Sequence, residues 1–322
     1  MKYFLKVNSE IEKDTRRFFL LFAILIFFFA AATKSPAADK IDLSRAKIVV
    51  MNPKSKAQAN SADILRDEIE KRTRIGLDVV SEMPGSDEVA ILTGTADDLA
   101  RASYHSVEGM PVPSKAEGYA LWVDTSKRQA ATICAAGRDD RGTLFAAGRL
   151  LRVLEMSRDR LELASDIKLA TAPKYPLRGH QFGYRPKTNS YDGWTIEMWQ
   201  QYYRDMIVFG MNVIELIPPT SDDQSDSLHF PLPKMEMMVK MSQLADNYDL
   251  DVWIWYPVVD DEDLDEGAFD KMLEKRAEVF GKLPRIDAVF VPGGDPGEIH
   301  PGKLLPLVEK MKKVLNLHLN KN

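Results

Sequence analysis

The sequence contains one cysteine, Cys134, so no disulfide can form within the chain. It lies in the apolar run 130–136 and reads as a small core residue, because a nucleophilic thiol needs an exposed, electropositive setting. Histidines number five, none closely paired, and no HExxH or CxxC spacing occurs, which leaves no zinc site to assign. No cofactor is called for. A net charge of -5 without a basic stripe argues against a nucleic-acid partner. Gly137, Gly142 and Gly148 fit neither G-x-G-x-x-G nor a Walker A motif, so they read as positions of close helix-to-sheet packing.

Long hydrophobic runs are also scarce. The run 18–32 follows Lys2, Lys6, Lys13, Arg16 and Arg17 and ends in small residues, the order of a secretory signal. Its 15 residues fall short of the ~20 that a spanning helix needs. Cleavage after Ala32 or Ala37 leaves small residues at the required positions. The alternative is an uncleaved membrane anchor over 1–37. Either way the remainder is expected to be exported, periplasmic or extracellular, touching a membrane only through this segment.

With 45% hydrophobic and 28% charged residues, the rest of the chain can bury a substantial core. Residues 44–172 read as a small α+β domain. A strand at 47–51 precedes a helix carrying Ala62, Leu65 and Ile69, which stops by Arg74 and Gly76. Strands at 77–80 and 89–92 follow, then a hairpin of 119–123 and 130–135 around 124–127. A helix capped by Asp139 or Asp140 closes the domain, its Leu144, Ala147, Leu151 and Leu154 facing the sheet.

After the linker ATAPKYP, residues 175–322 alternate apolar strands with amphipathic helices. Strands are expected at 177–184, 213–217, 252–256 and 286–291. Thr195 caps the first helix, whose Trp199, Tyr202, Met206 and Phe209 share a face, and Gly210 ends it. Further helices follow at 235–248, at 269–280 and around Leu304, Val308, Met311 and Leu315. Such alternation predicts parallel pairing with right-handed crossovers. No glycine-rich turn of a doubly wound sheet follows the first strand. A (β/α)₈ barrel takes ~250 residues, and 177–322 supplies 146, enough for four units. The expectation is a partial, four-unit TIM-type barrel from a truncated or split member of a longer family.

In such folds chemistry collects at the carboxyl ends of the strands. Strand one ends in RGHQFGYR, offering Arg178, whose guanidinium fork suits vicinal hydroxyls or a carboxylate, with His180, Gln181 and Tyr184 beyond it. Strand two carries Glu215, either a satisfied core carboxylate or a substrate-binding group; Asp222 and Asp223 in TSDDQSDS read as solvated loop charges. Strand three ends in WIWYP. Trp253 and Trp255 share a face, with Trp253 deeper and read as core, while Trp255 and Tyr256 offer flat surfaces for sugar rings. Strand four ends in VPGGDPGE, where Asp295 and Glu298 make a candidate acid/base pair. Glycoside hydrolysis needs two carboxyls, ~5–5.5 Å apart for retention and ~6.5–9.5 Å for inversion.

ILTG at 91–94, GYALWVD at 118–124 and GRDDRGTLFAAGRLL at 137–151 resemble the noncatalytic domain that precedes the barrel in bacterial β-N-acetylhexosaminidases and α-glucuronidases. The Arg178-Gly179 pair is similar to the RG of the first hexosaminidase barrel strand, where the Arg binds the terminal sugar. GGD at 293–295 is similar to their GGDE, whose Asp orients the acetamido group and whose Glu is the general acid; here Pro296 stands in the acid's place. NVIELIPP replaces their histidine-bearing N-x-x-H stretch. The resemblance implies an enzyme that hydrolyses O-glycosidic bonds of an oligo- or polysaccharide. A noncatalytic carbohydrate-binding protein or an inactive fragment is the alternative.

Overall fold

The computed structural model describes residues 39–106, 109–181, 193–216, 231–258, 266–292 and 299–319. The leader 1–37, Tyr184, Asp222, Asp223, Asp295 and Glu298 lie outside them. No helix among the described residues is long and apolar enough to cross a membrane.

The amino-terminal module is built on a six-stranded sheet. Its strands are β2 (Lys47–Val50), β3 (Val79–Val80), β4 (Ala90–Thr95), β5 (Tyr119–Asp124), β6 (Thr132–Gly137) and β9 (Lys168–Thr171), in the order β3-β2-β4-β6-β5-β9. β2 pairs in parallel with β3 and β4, β4 with β6, and the expected β5–β6 hairpin is antiparallel. Alternation splits each strand between two layers. Ile48, Val50, Leu121, Ile133 and Ala135 meet the core under helices α1 (Lys56–Thr73) and α3 (Asp140–Val153). Val49, Ala120, Trp122, Cys134 and Ala136 form the second layer with Leu99 of α2 (Ala96–Arg101). Cys134 is fully buried, and burial pushes its thiol well up, as its core reading requires.

Several details depart from the sequence reading. α1 is stopped by Arg74 itself, left-handed at φ 65, rather than by Gly76. The capping box Thr95–Asp98 starts α2, a helix the apolar pattern did not announce. A three-stranded sheet, β1 (Lys40–Asp42), β8 (Arg160–Ala164) and β7 (Glu155–Ser157), extends the module in front of residue 44. β1 and β7, of three residues each, are too short to show periodicity, while β8 does alternate, with Leu161 and Leu163 buried between polar neighbours.

The carboxy-terminal module is a four-stranded parallel sheet. β10 (Gly179–Gln181), β11 (Val213–Leu216), β12 (Asp251–Trp255) and β13 (Ala288–Phe290) lie side by side in sequence order. α4 (Ile196–Val208), α5 (Lys234–Asn247), α6 (Glu266–Lys282) and α7 (Pro301–Leu319) follow them one by one. Ile214, Leu216, Val252 and Ile254 share one core with Trp199, Met206, Met237, Phe280 and Met311, so the helices cover a single face. Strand order never reverses, as it would in a doubly wound sheet. Thr195 caps α4 as expected, accepting from the Met198 N–H. Phe209, expected on the apolar face, is the C-cap residue and 67% exposed, because the helix ends at Val208 and Gly210 turns away at φ 80.

Helix α3 joins the modules. Leu144, Ala147 and Leu151 lie in the buried core as the spacing predicts. A second stripe, Arg141, Phe145, Gly148 and Arg152, repeats at helical spacing and meets the other module. Arg141 pairs with Asp251, the Arg178 guanidinium stacks 5.4 Å from the Phe145 ring centroid, and Arg152 stands 5.8 Å from that of Phe209. Gly148 serves packing against helix α4 rather than the sheet expected for it: an added Cβ would lie 2.7 Å from Cα of Val208.

Candidate functional site

The amino ends of the parallel strands are closed by an ion network. Arg141 donates to Asp251 at 2.8 Å, to Asp249 at 3.3 Å and to Glu117 at 3.1 Å. From the carboxy-terminal module Arg285 reaches Asp251 at 2.7 Å, Asp249 at 3.0 Å and Asp287 at 2.9 Å. Burial works against both guanidinium charges, but the carboxylates outweigh it and hold both arginines more firmly protonated than usual. Buried Asn212 donates to Glu117 at 2.9 Å and to the Pro176 carbonyl at 2.7 Å. This end is structural.

Arg178 belongs to the same network. It precedes β10, and its side chain donates to the carbonyls of Gly210 and Tyr175, both at 2.7 Å, and to Glu117 at 2.5 Å. The fork anticipated for a sugar is therefore engaged by protein acceptors at the amino end. His180 and Gln181 lie within β10 rather than on its exit loop. His180 points toward the helices, its Nδ1 2.7 Å from the Tyr202 hydroxyl. Tyr256 is buried on the helix side, edge-on to Phe280 at 6.3 Å.

Over Tyr256 lies Arg276, 1% exposed, its guanidinium 4.2 Å from the ring centroid and donating at 2.7 Å to the Pro257 carbonyl. No carboxylate among the described residues pairs with it, and burial pulls its pKa down to about 10. That depression disfavours the charged form by about 3 kcal/mol, while losing the carbonyl bond costs about 1.5–3 kcal/mol. Arg276→Met is therefore expected to leave stability unchanged or raise it by up to about 2 kcal/mol in urea unfolding. A clear loss would show that the contacts of the guanidinium with Pro257, Tyr256 and Met311 together outweigh its desolvation.

The face away from the helices carries the remaining candidates. Register aligns Gln181 with Glu215, Glu215 with Trp253, and Trp253 with Ala288 in one row across the four strands. One row further toward the exit, Trp255 pairs with Phe290. Trp255 is 2% exposed, whereas Trp253, read from sequence as the deeper core residue, stays partly accessible. Glu215 is half-buried, no described residue bonds its carboxylate, and desolvation raises its pKa. Among the described residues no cluster of His, Cys, Asp and Glu is arranged to hold a metal ion. Of the expected site residues, this row unites Gln181 and Glu215, adds Trp253, and excludes Arg178, His180 and Tyr256. Arg141, Glu117 and Asn212 had no spacing to betray them, since their partners are far away in sequence.

Solved structures share this fold. The GH20 β-N-acetylhexosaminidase from Streptomyces coelicolor A3(2) is similar over 88% of this chain and 62% of its own, with a TM-score of 0.59 at 13% identity. The Streptomyces plicatus N-acetyl-β-hexosaminidase in complex with thio-NAglucal matches 88% of this chain and 61% of its own, with a TM-score of 0.59 at 12% identity. The fold is glycoside-hydrolase-like. A family GH115 4-O-methyl-α-glucuronidase with specificity for decorated arabinogalactans is similar over 88% of this chain and 41% of its own, with a TM-score of 0.60 at 12% identity. The chain thus spans less than two thirds of the length of each. No protein-family profile and no curated protein matches the sequence.

Proposed function

We propose that this chain is a glycoside-hydrolase-like protein that acts on carbohydrate outside the cytoplasm, its parallel sheet being the first four units of a (β/α)₈ barrel. The observation that carries the reading is the polarity of the sheet in a fold shared with glycosidases. The amino ends are sealed by the ion network, which leaves the exit ends for chemistry, where such barrels hold their sites. Asp295 and Glu298 follow β13 in sequence and are the acid/base candidates. Trp255, at the exit end of β12, and Tyr184, which follows β10 in sequence, remain the substrate-binding candidates, while Arg178, His180 and Tyr256 support the scaffold. The basic, apolar leader supports export to the periplasm or beyond.

Assay against aryl β-N-acetylglucosaminides and aryl glucuronides tests this. Turnover is expected, and Asp295→Asn is expected to lower kcat by about 10²–10⁴-fold, the usual share of an acid or base. Pro296 in the position of the adjacent Glu favours a second reading, sugar binding without hydrolysis. Binding measured by calorimetry with no turnover would select it.

A further inference from the structure

We infer that Glu215 and Trp253 form one sugar-ring subsite that prefers an uncharged pyranose with adjacent hydroxyls over a uronate. The inference rests on the carbohydrate reading above and names the class of sugar. The two residues are Cα partners across β11 and β12, on the face that the helices leave free. Both keep partial exposure, and neither makes a hydrogen bond, ion pair or ring contact with a described residue. An indole covers the apolar face of a pyranose, and a carboxylate beside it can accept from two neighbouring hydroxyls. Gln181, the partner of Glu215 on its other side, is exposed and adds an amide that both donates and accepts.

The charge balance decides the class. By strand alternation the other ionisable residue on this face of β11 and β12 is Asp251, which Arg141 and Arg285 already bind. Arg178 is consumed at the amino end, and Arg276 lies on the helix side of β12. Among the described residues, then, no free cation faces Glu215. A uronate would bring a second carboxylate beside the first with no compensating cation among the described residues, and like charges in a partly desolvated site repel. A neutral ring meets no such opposition. The known neighbours include enzymes named for both kinds of sugar, so the distinction is a real one for this fold.

Tryptophan emission of the full chain, titrated with N-acetylglucosamine, methyl β-glucoside and glucuronate at mildly alkaline pH, tests the proposal. The neutral sugars are expected to change the emission, with glucuronate needing at least about tenfold more, and Glu215→Gln closing that gap. Trp253→Phe should abolish the response, and Trp253→Tyr should restore affinity in calorimetry. Glucuronate binding as tightly as the neutral sugars overturns the proposal, as do a gap unchanged in Glu215→Gln and a response that survives Trp253→Phe. Aryl glycoside turnover indifferent to both substitutions overturns the subsite and leaves the glycosidase reading standing. Absence of both binding and turnover ends both.

Discussion

Arg141→Ala is expected to destabilise the protein by about 3 kcal/mol, the lower end of the 3–5 kcal/mol typical when one member of a buried charge network is removed. The side chain is 15% exposed and serves three carboxylates, Glu117, Asp249 and Asp251. Its removal leaves Asp249 and Asp251 to Arg285 and Glu117 to Arg178, which is why the loss stays near the lower bound. The network also spans the two modules, so the damage falls on their union. Urea unfolding followed by fluorescence should change from one transition to two, the parallel sheet melting first because its strands at the network end lose their cap. Arg141→Lys should recover only part, since an ammonium cannot make the forked contact to Asp251 and Asp249. A variant within about 0.5 kcal/mol of the wild type, an ordinary surface effect, would show that the union of the modules does not depend on Arg141 and that their other contacts, Arg178 and Asn212 with Glu117 among them, suffice.

The sequence made some of this visible and hid the rest for identifiable reasons. The βα alternation after residue 175 was legible because each element buries its own stripe: Val213 to Leu216 and Asp251 to Trp255 emerge close to the expected bounds. Thr195 was legible as a cap, and Asp139 as one of two candidates with Asp140, because capping is a local bargain between a side chain and the next turn. The partners of Arg178 were hidden because its Arg-Gly context speaks of a motif, while its orientation is set by Glu117, Tyr175 and Gly210, two of them distant in sequence. Trp253 and Trp255 share a face, as alternation requires, but their relative exposure depends on what covers each row. Periodicity carries no such information. The row itself, Gln181 to Ala288, exists only once three parallel registers are fixed.

Gly148→Val is expected to cost about 3 kcal/mol, the upper part of the range for overpacking. A Cβ there would stand 2.7 Å from Cα of Val208 and 3.0 Å from the Ile207 carbonyl oxygen, both main-chain atoms of α4. No rotamer change relieves a clash with backbone, so α3 and α4 must move apart, and separation weakens the buried contacts on either side of the glycine. Gly148→Ala should already show most of the effect, because the offending atom is the Cβ itself. The penalty has little to do with helix propensity, since alanine favours a helix over glycine by about 1 kcal/mol; a destabilising Gly148→Ala thus isolates the packing term. Arg141 lies two turns earlier on the same stripe of α3. Because both changes loosen one seam, the double variant should lose less than the sum of the two by more than about 0.5 kcal/mol, the limit for independent sites. Strict additivity in that cycle would mean that the ion network and the helix contact hold the modules independently, and that neither end of α3 senses the other.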